Sequence, residues 1–178
     1  MTMKRKWDDA IKRGLYAHTR RREMVYFYGA KGQVLNDSLM NYFISLSPSH
    51  FSQFSAEELE QIKRNSRGKL AYDCSGFTGW VCTGDKQYSA GQIANCSFVT
   101  SDLVAGVAGS ILYTTHGGKG RHIGLDIGYG YCLDMGIEST DEMVRLGYDS
   151  VRLRKVLECG WELSGQSNVI DYTGANNR

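Results

Sequence analysis

The feature that most constrains the fold is the alternating run His122-Ile-Gly-Leu-Asp-Ile-Gly128. Its branched apolar residues would share one face of a strand, and His122 and Asp126 would share the other. Gly128-Tyr129-Gly130 then turns the chain, and a second strand runs from Tyr131 to about Met135. The sequence therefore predicts an antiparallel hairpin and, with it, an antiparallel sheet.

The length of this turn decides which carboxylate can orient the His122 imidazole. Asp126 is displaced along the same strand by roughly 13 Å and cannot reach it. A three-residue turn with a glycine at positive φ puts Asp134 on the His122 face, directly opposite or one diagonal away, whereas a two-residue turn puts it on the other face. We therefore predict the three-residue turn and a hydrogen bond between His122 and Asp134.

Cys74 begins a second predicted element, a helix with apolar residues at helical spacing as far as Thr83. Asp73 is a good N-cap, so Cys74 would lie in the first turn. Taken alone, Cys74 would be a buried helical cysteine. A helix N-terminus and a nearby imidazole both lower a thiol pKa, however, so Cys74 with His122 predicts a nucleophile and acyl-transfer chemistry.

Three blocks of the sequence carry a family resemblance. They are Asp73-Cys-Ser-Gly-Phe77 at the start of a helix, His122-Ile-Gly-Leu-x-Ile-Gly-x-Gly-Tyr131, and the weaker Tyr26-Phe-Tyr-Gly-Ala30. Together they resemble the NlpC family of papain-like cell-wall cysteine peptidases. The resemblance implies an α+β fold in which a central antiparallel sheet packs against the nucleophile helix. It also implies hydrolysis of the γ-D-glutamyl to diamino-acid bond in peptidoglycan stem peptides.

The resemblance also implies catalytic roles. Cys74 would be the nucleophile, His122 the general base and Asp134 the residue that orients the imidazole. The family most often has histidine at the position of Asp134, and an aspartate can serve the same purpose.

A substrate-binding group is implied as well. Asp73, Ser75 and Tyr26 fall where family members that cut after an N-terminal dipeptide hold the free amine of the substrate. Because a carboxylate can neutralise an ammonium ion, a peptide with free L-Ala-γ-D-Glu at its amino end is the expected substrate. Asp73 acting only as a helix cap is an equal alternative.

The segment 31–72 departs from the family, which has only a short link before its Asp-Cys pair. Apolar residues from Leu39 to Leu46 have helical spacing, and Ser55-Ala-Glu-Glu58 is typical of a capping box. The segment is predicted to be an inserted helical hairpin. It would form a lid or one wall of the substrate groove, or it would only cover exposed core.

The whole chain, residues 1–178, is predicted to form one domain, since 42% hydrophobic content supports a single sizeable core. Residues 1–23 hold eight basic and three acidic side chains with an apolar stripe that includes Leu15, and predict a docked basic helix. Residues 150–156 alternate as a last strand. The segment 164–178 is expected to be a polar, partly disordered tail.

Composition limits the classes of partner that the protein is expected to bind. A net charge of +2 argues against general nucleic-acid binding, and neither a secretory signal nor an apolar run of membrane-spanning length is seen. Synthesis in the cytoplasm is expected, with phage association or a non-Sec route where the wall is the target. Five cysteines without a Cys-x-x-Cys pair predict free thiols, no structural metal and no cofactor.

Three functions remain open from the sequence. The first is a cysteine peptidase that acts on peptidoglycan stem peptides, either in wall lysis or in peptide recycling. The second keeps the fold and the triad in an acyltransferase or a lipid or amide hydrolase, which an apolar groove would favour. The third is a catalytically idle module that binds wall or phage partners.

Overall fold

The structure, a computed structural model, describes residues 4–84, 88–117, 119–137 and 150–175. Its helices are α1 (Trp7–Thr19), α2 (Asp37–Leu46), α3 (Pro48–Phe51), α4 (Ala56–Ser66), α5 (Cys74–Thr83) and α6 (Ala90–Ile93). Its strands are β1 (Arg5–Lys6), β2 (Met24–Tyr26), β3 (Lys31–Val34), β4 (Leu70–Tyr72), β5 (Cys96–Thr100), β6 (Ile111–His116), β7 (Lys119–Gly128), β8 (Tyr131–Met135), β9 (Val151–Lys155), β10 (Leu163–Ser167) and β11 (Ile170–Asp171).

The largest sheet has six antiparallel strands in the order β5-β10-β6-β7-β8-β9. The predicted α+β class is therefore confirmed, and so are the predicted strands around His122 and Asp134. On β7, Ile123 and Leu125 belong to the principal core together with Phe77 and Val81 of α5. The nucleophile helix predicted from the sequence thus packs on this sheet.

The turn between β7 and β8 differs from the prediction. Gly128 pairs with Tyr131, so that only Tyr129 and Gly130 connect the strands. Both connecting residues have positive φ, 52° for Tyr129 and 79° for Gly130. Two-residue hairpins favour this conformation because its twist matches that of the flanking strands.

The register that the three-residue turn was meant to provide is nevertheless present. A bulge between Asp126 and Gly128 adds one residue to β7. Asp134 consequently lies opposite Gly124, one diagonal from His122 and on the same face. The bulge therefore has the same effect on side-chain facing as the predicted longer turn.

Helix α1 docks on α5 and the sheet, as the basic N-terminal segment predicted. Leu15, expected on the apolar stripe, is 40% exposed, and Gly14 lies in the interface instead. A Cβ on Gly14 would come within 2.9 Å of the Leu133 side chain, so glycine allows this approach without displacing Leu133. Arg13 Nη1 donates to the carbonyl oxygens of Trp80 and Val81 at the end of α5, both at 2.9 Å. A cation at a helix C-terminus is stabilising.

The inserted segment 31–72 is more than the predicted helical hairpin. Its strands β3 and β4 join β2 in a three-stranded sheet, and α3 lies between the two expected helices α2 and α4. The segment shares a second core cluster that includes Phe27, Phe43, Phe51 and Ile62. The predicted capping box at Ser55 is present.

Residues 164–171 are not part of a disordered tail, as had been predicted for 164–178, and residues 176–178 lie outside the described residues. Residues 163–167 form β10, which lies between β5 and β6, and Ile170–Asp171 pairs in parallel with β1. Ser164 and Ser167 are each 1% exposed. Small hydroxyl side chains fit an interior strand when the backbone ladder satisfies the hydrogen bonds of their peptide groups. The prediction of a tail was wrong because it considered only the polarity of the side chains. In the described part of the chain, no helix combines the length and apolar character needed to cross a bilayer.

Candidate active site

Cys74 lies in the first turn of α5, as predicted. The Asp73 side chain caps this helix, because its Oδ1 accepts from the Gly76 amide at 2.6 Å. The Asp73 amide in turn donates to the Ala30 carbonyl oxygen at 2.8 Å, which fixes the start of the helix against β3. Helix geometry then leaves the amides of Cys74 and Ser75 without intrahelical acceptors, next to the thiol.

A cavity of about 910 Å³ opens at this helix end. Cys74, His122, Tyr26, Asp73 and Ser75 all line it, so the structure brings these predicted residues together. A volume of this size accommodates a short peptide segment.

Asp134 is the predicted site residue that lies behind the cavity. It is 0% exposed, and its Oδ2 is 2.8 Å from His122 Nε2. An ionised carboxylate can only accept, so Nε2 carries the proton of this hydrogen bond. In the neutral imidazole the other ring nitrogen, Nδ1, is then the basic one.

Two arginines of β9 also contact Asp134, and the sequence analysis missed them. Arg152 pairs with both carboxylate oxygens, and Arg154 Nη2 lies 3.0 Å from Oδ2. Burial alone would raise the pKa of Asp134, but the hydrogen bonds from His122 and Arg152, with the Arg152 charge, hold it at about 2. Arg152 and Arg154 alternate in the sequence, and in the structure Arg152 lies opposite Asp134 on the neighbouring strand. The alternation of the two arginines in the last predicted strand was the sequence signal that could have indicated them.

Trp161 is a second residue that the sequence analysis missed. Its ring stacks on His122 with a centroid distance of 5.3 Å and an interplanar angle of 2°. Gly124 makes room for it, since a Cβ there would lie 2.9 Å from the Trp161 ring. The indole therefore covers the imidazole and limits its rotation away from Asp134.

The thiol environment differs from the prediction. Cys74 is only 9% exposed, and burial, followed by the Asp73 carboxylate, raises its pKa to about 12. Lys31 and the amides of Ile123 and Ser75 oppose this rise. Sγ lies 3.9 Å from the Arg121 carbonyl oxygen, and within the described residues no hydrogen bond joins it to His122. The helix end thus does not outweigh desolvation, which favours the neutral thiol of Cys74 in the free protein.

We expect alkylation of Cys74 by iodoacetamide to report this state. Because the thiolate is the reactive form, the rate should rise about tenfold per pH unit between roughly pH 6 and 9, without a plateau. Stopped reactions analysed by peptide mass mapping would give the rate at each pH. A rate already constant below about pH 6 would show a preformed thiolate and imidazolium pair instead.

The corner expected to hold a substrate amine is occupied by the protein itself. Lys31 Nζ lies 2.8 Å from Asp73 Oδ1 and also donates to Ser75 Oγ. The hydroxyl of Ser75 donates to the same carboxylate at 2.9 Å. Asp73 is therefore both a helix cap and an ion-pair partner, but its partner is Lys31.

The 31–72 segment supplies one wall of the cavity, through Lys31, Ser49 and His50. His50 is half-buried, its ring stacks on Tyr28 with a centroid distance of 4.2 Å, and burial lowers its pKa. Of the roles considered for the inserted segment, its position therefore supports that of a cavity wall.

Comparisons with family models, curated proteins and solved structures returned no match to this chain. Within the described ranges, no group of three or more His, Cys, Asp and Glu side chains is arranged to hold a metal ion. All five cysteines are free thiols. The functional argument therefore depends on the site geometry and on the sequence resemblance.

Proposed function

We propose that this protein is a cysteine peptidase of papain-like architecture that hydrolyses amide bonds in peptidoglycan stem peptides. The observation that carries the proposal is that Cys74, at a helix N-terminus, shares one cavity with a histidine that is hydrogen-bonded to a buried, ionised aspartate. This combination can activate a cysteine nucleophile.

The first half of the reaction makes a thioester. His122 Nδ1 accepts the thiol proton as Sγ of Cys74 attacks the scissile carbonyl carbon, so no preformed thiolate is needed. The amides of Cys74 and Ser75 stabilise the negative charge on the carbonyl oxygen. The C–N bond then breaks, and His122 returns the proton to the leaving amine.

The second half regenerates the enzyme. Water attacks the thioester carbon while His122 takes one of its protons, and the C–S bond breaks to release a carboxylic acid and the thiol. Asp134 holds the imidazole in the required tautomer and stabilises its charged form throughout. The absence of a hydrogen bond between Cys74 and His122 in the described structure fits an unliganded site, since such contacts often tighten only with substrate.

The cavity lining offers many groups that can hydrogen-bond to a polar substrate. Of its described residues, only Ala90, Gly91 and Gly120 lack a polar or thiol group in the side chain. A lipid hydrolase would need an apolar groove to bury an acyl chain. The γ-D-glutamyl to diamino-acid bond is proposed from the sequence resemblance.

The test is hydrolysis of L-Ala-γ-D-Glu-diaminopimelate peptides, supplied with the amino end either free or acetylated. Mass spectrometry of the products would locate the broken bond. Cleavage of either form at the γ-D-glutamyl bond supports the proposal. No cleavage of either form, together with tight binding, would favour a binding module.

A further inference from the structure

Lys31 is held at the helix end by a full set of acceptors. Its three N–H donors face Asp73 Oδ1 at 2.8 Å, Ser75 Oγ, and the Tyr88 carbonyl oxygen at 3.5 Å. An ammonium group offers three donors, so its hydrogen-bonding capacity is used up by the protein. These are the contacts that a substrate ammonium would otherwise need.

The surroundings are shaped for this lysine. The side chains of Lys31 and Asp73 are 20% and 13% exposed, so the ion pair is largely removed from water. Gly76 lies beneath the lysine stem, and a Cβ there would come within 2.9 Å of Lys31 Cδ and 2.8 Å of the Ala30 carbonyl oxygen. The glycine therefore permits β3 to approach α5 closely enough for Lys31 to reach Asp73.

The charge balance of the cavity also opposes the binding of a further cation. Its described lining carries two permanent cations, Lys31 and Arg121, and one carboxylate, Asp73. Arg121 is exposed and forms no ion pair with another described residue. A substrate ammonium would have to displace Lys31 and leave it beside a like charge, which costs affinity.

We propose that Lys31 is a specificity-determining residue that occupies the ammonium position, so that the Cys74 site accepts peptides whose amino end is acylated. This inference rests on the proposed peptidase function and reverses the substrate preference that the sequence predicted. A neutral amide at the amino end needs no carboxylate partner. The substrate class is therefore stem peptides still joined to the glycan through an amide, and not free peptide fragments.

The test uses L-alanyl-γ-D-glutamyl chloromethyl ketone with its amine either free or acetylated. The sulfur of Cys74 displaces chloride and forms a C–S bond, and the thiol proton leaves through His122. In the wild-type protein we expect the acetylated ketone to alkylate Cys74 at least roughly tenfold faster than the free amine. In Lys31→Met the preference should reverse, since the free ammonium can then pair with Asp73.

Two controls separate charge from folding. Lys31→Arg keeps a cation and should keep the wild-type preference, and Lys12→Met changes an exposed lysine of α1 and should not alter it. Faster alkylation of the wild type by the free amine, or an unchanged ratio in Lys31→Met, would overturn the inference alone. Labelling of Cys74 by neither ketone would overturn the proposed function and the inference together. The ratio of the two alkylation rates in the wild-type protein tests the predicted preference for an acylated amino end even if a variant fails to fold.

Discussion

Replacement of Cys74 by alanine is expected to lower the turnover number for stem-peptide hydrolysis by about 10⁴-fold or more, because the thioester forms on its sulfur. The fold should persist, since alanine suits the first turn of a helix and the hydrogen bond from Sγ to the Arg121 carbonyl oxygen is long, at 3.9 Å. Product analysis by mass spectrometry would give the rate, and circular dichroism would check the fold.

The matched control is Cys82→Ala in the same helix. Cys82 is 0% exposed and lies in the principal core, away from the cavity. Its loss should cost about 1 kcal/mol of unfolding free energy and leave turnover within about twofold. If both variants lost activity equally, the nucleophile assignment would be wrong and the effect would be one of packing.

Asp134→Ala is expected to reduce the free energy of unfolding by about 3–5 kcal/mol, because it removes the shared partner of two arginines and a histidine. Urea unfolding followed by tryptophan fluorescence would measure this. Asp37→Ala breaks an exposed pair with Arg67 and should cost no more than about 1 kcal/mol. Equal losses in the two variants would contradict the buried network.

The variant Asp134→Asn separates the effect of Asp134 on the orientation of the His122 imidazole from its effect on the stability of the fold. The amide keeps one acceptor and the shape of the side chain, so the fold should be retained better than in the alanine variant. It presents either a donor or a weaker acceptor to His122, and the turnover number should fall by roughly 10- to 10⁴-fold with little change in KM. Unchanged kinetics would mean that Asp134 serves the fold only.

The wild-type protein should also show the Asp134 contribution in its acid stability. Its folded pKa, about 2, lies below the ordinary value of 3.8. The stabilisation is therefore complete above about pH 4 and is lost as the pH falls towards 2. Unfolding curves across this window, compared with those of Asp134→Asn, would isolate the effect, because the variant lacks this titration.

Local patterns were sufficient for the elements that carry the predicted triad. Alternation predicted β7 and β8, and an N-cap aspartate before a helical repeat predicted α5. These features depend on neighbours within a few residues, so one sequence reports them. The face occupied by Asp134 was also predicted, although a bulge provides the register that was assigned to a longer turn.

Contacts between residues far apart in the chain could not be predicted from the sequence. Nothing local indicates that Lys31 reaches Asp73 or that Trp161 covers His122, because each contact joins segments far apart in the chain. Residues 164–167 were predicted to belong to a tail because they carry no apolar side chain, yet a backbone ladder between two other strands orders them.

The sequence by itself therefore determined which side chains could perform the chemistry and on which element each one lies. Only the tertiary structure decided their electrostatic state. Burial raises the pKa of Cys74 where the helix end was expected to lower it, and Lys31 neutralises the carboxylate expected to bind substrate. The reason is physical: desolvation and charge pairing depend on everything that packs around a group, and that packing is assembled from distant parts of the chain.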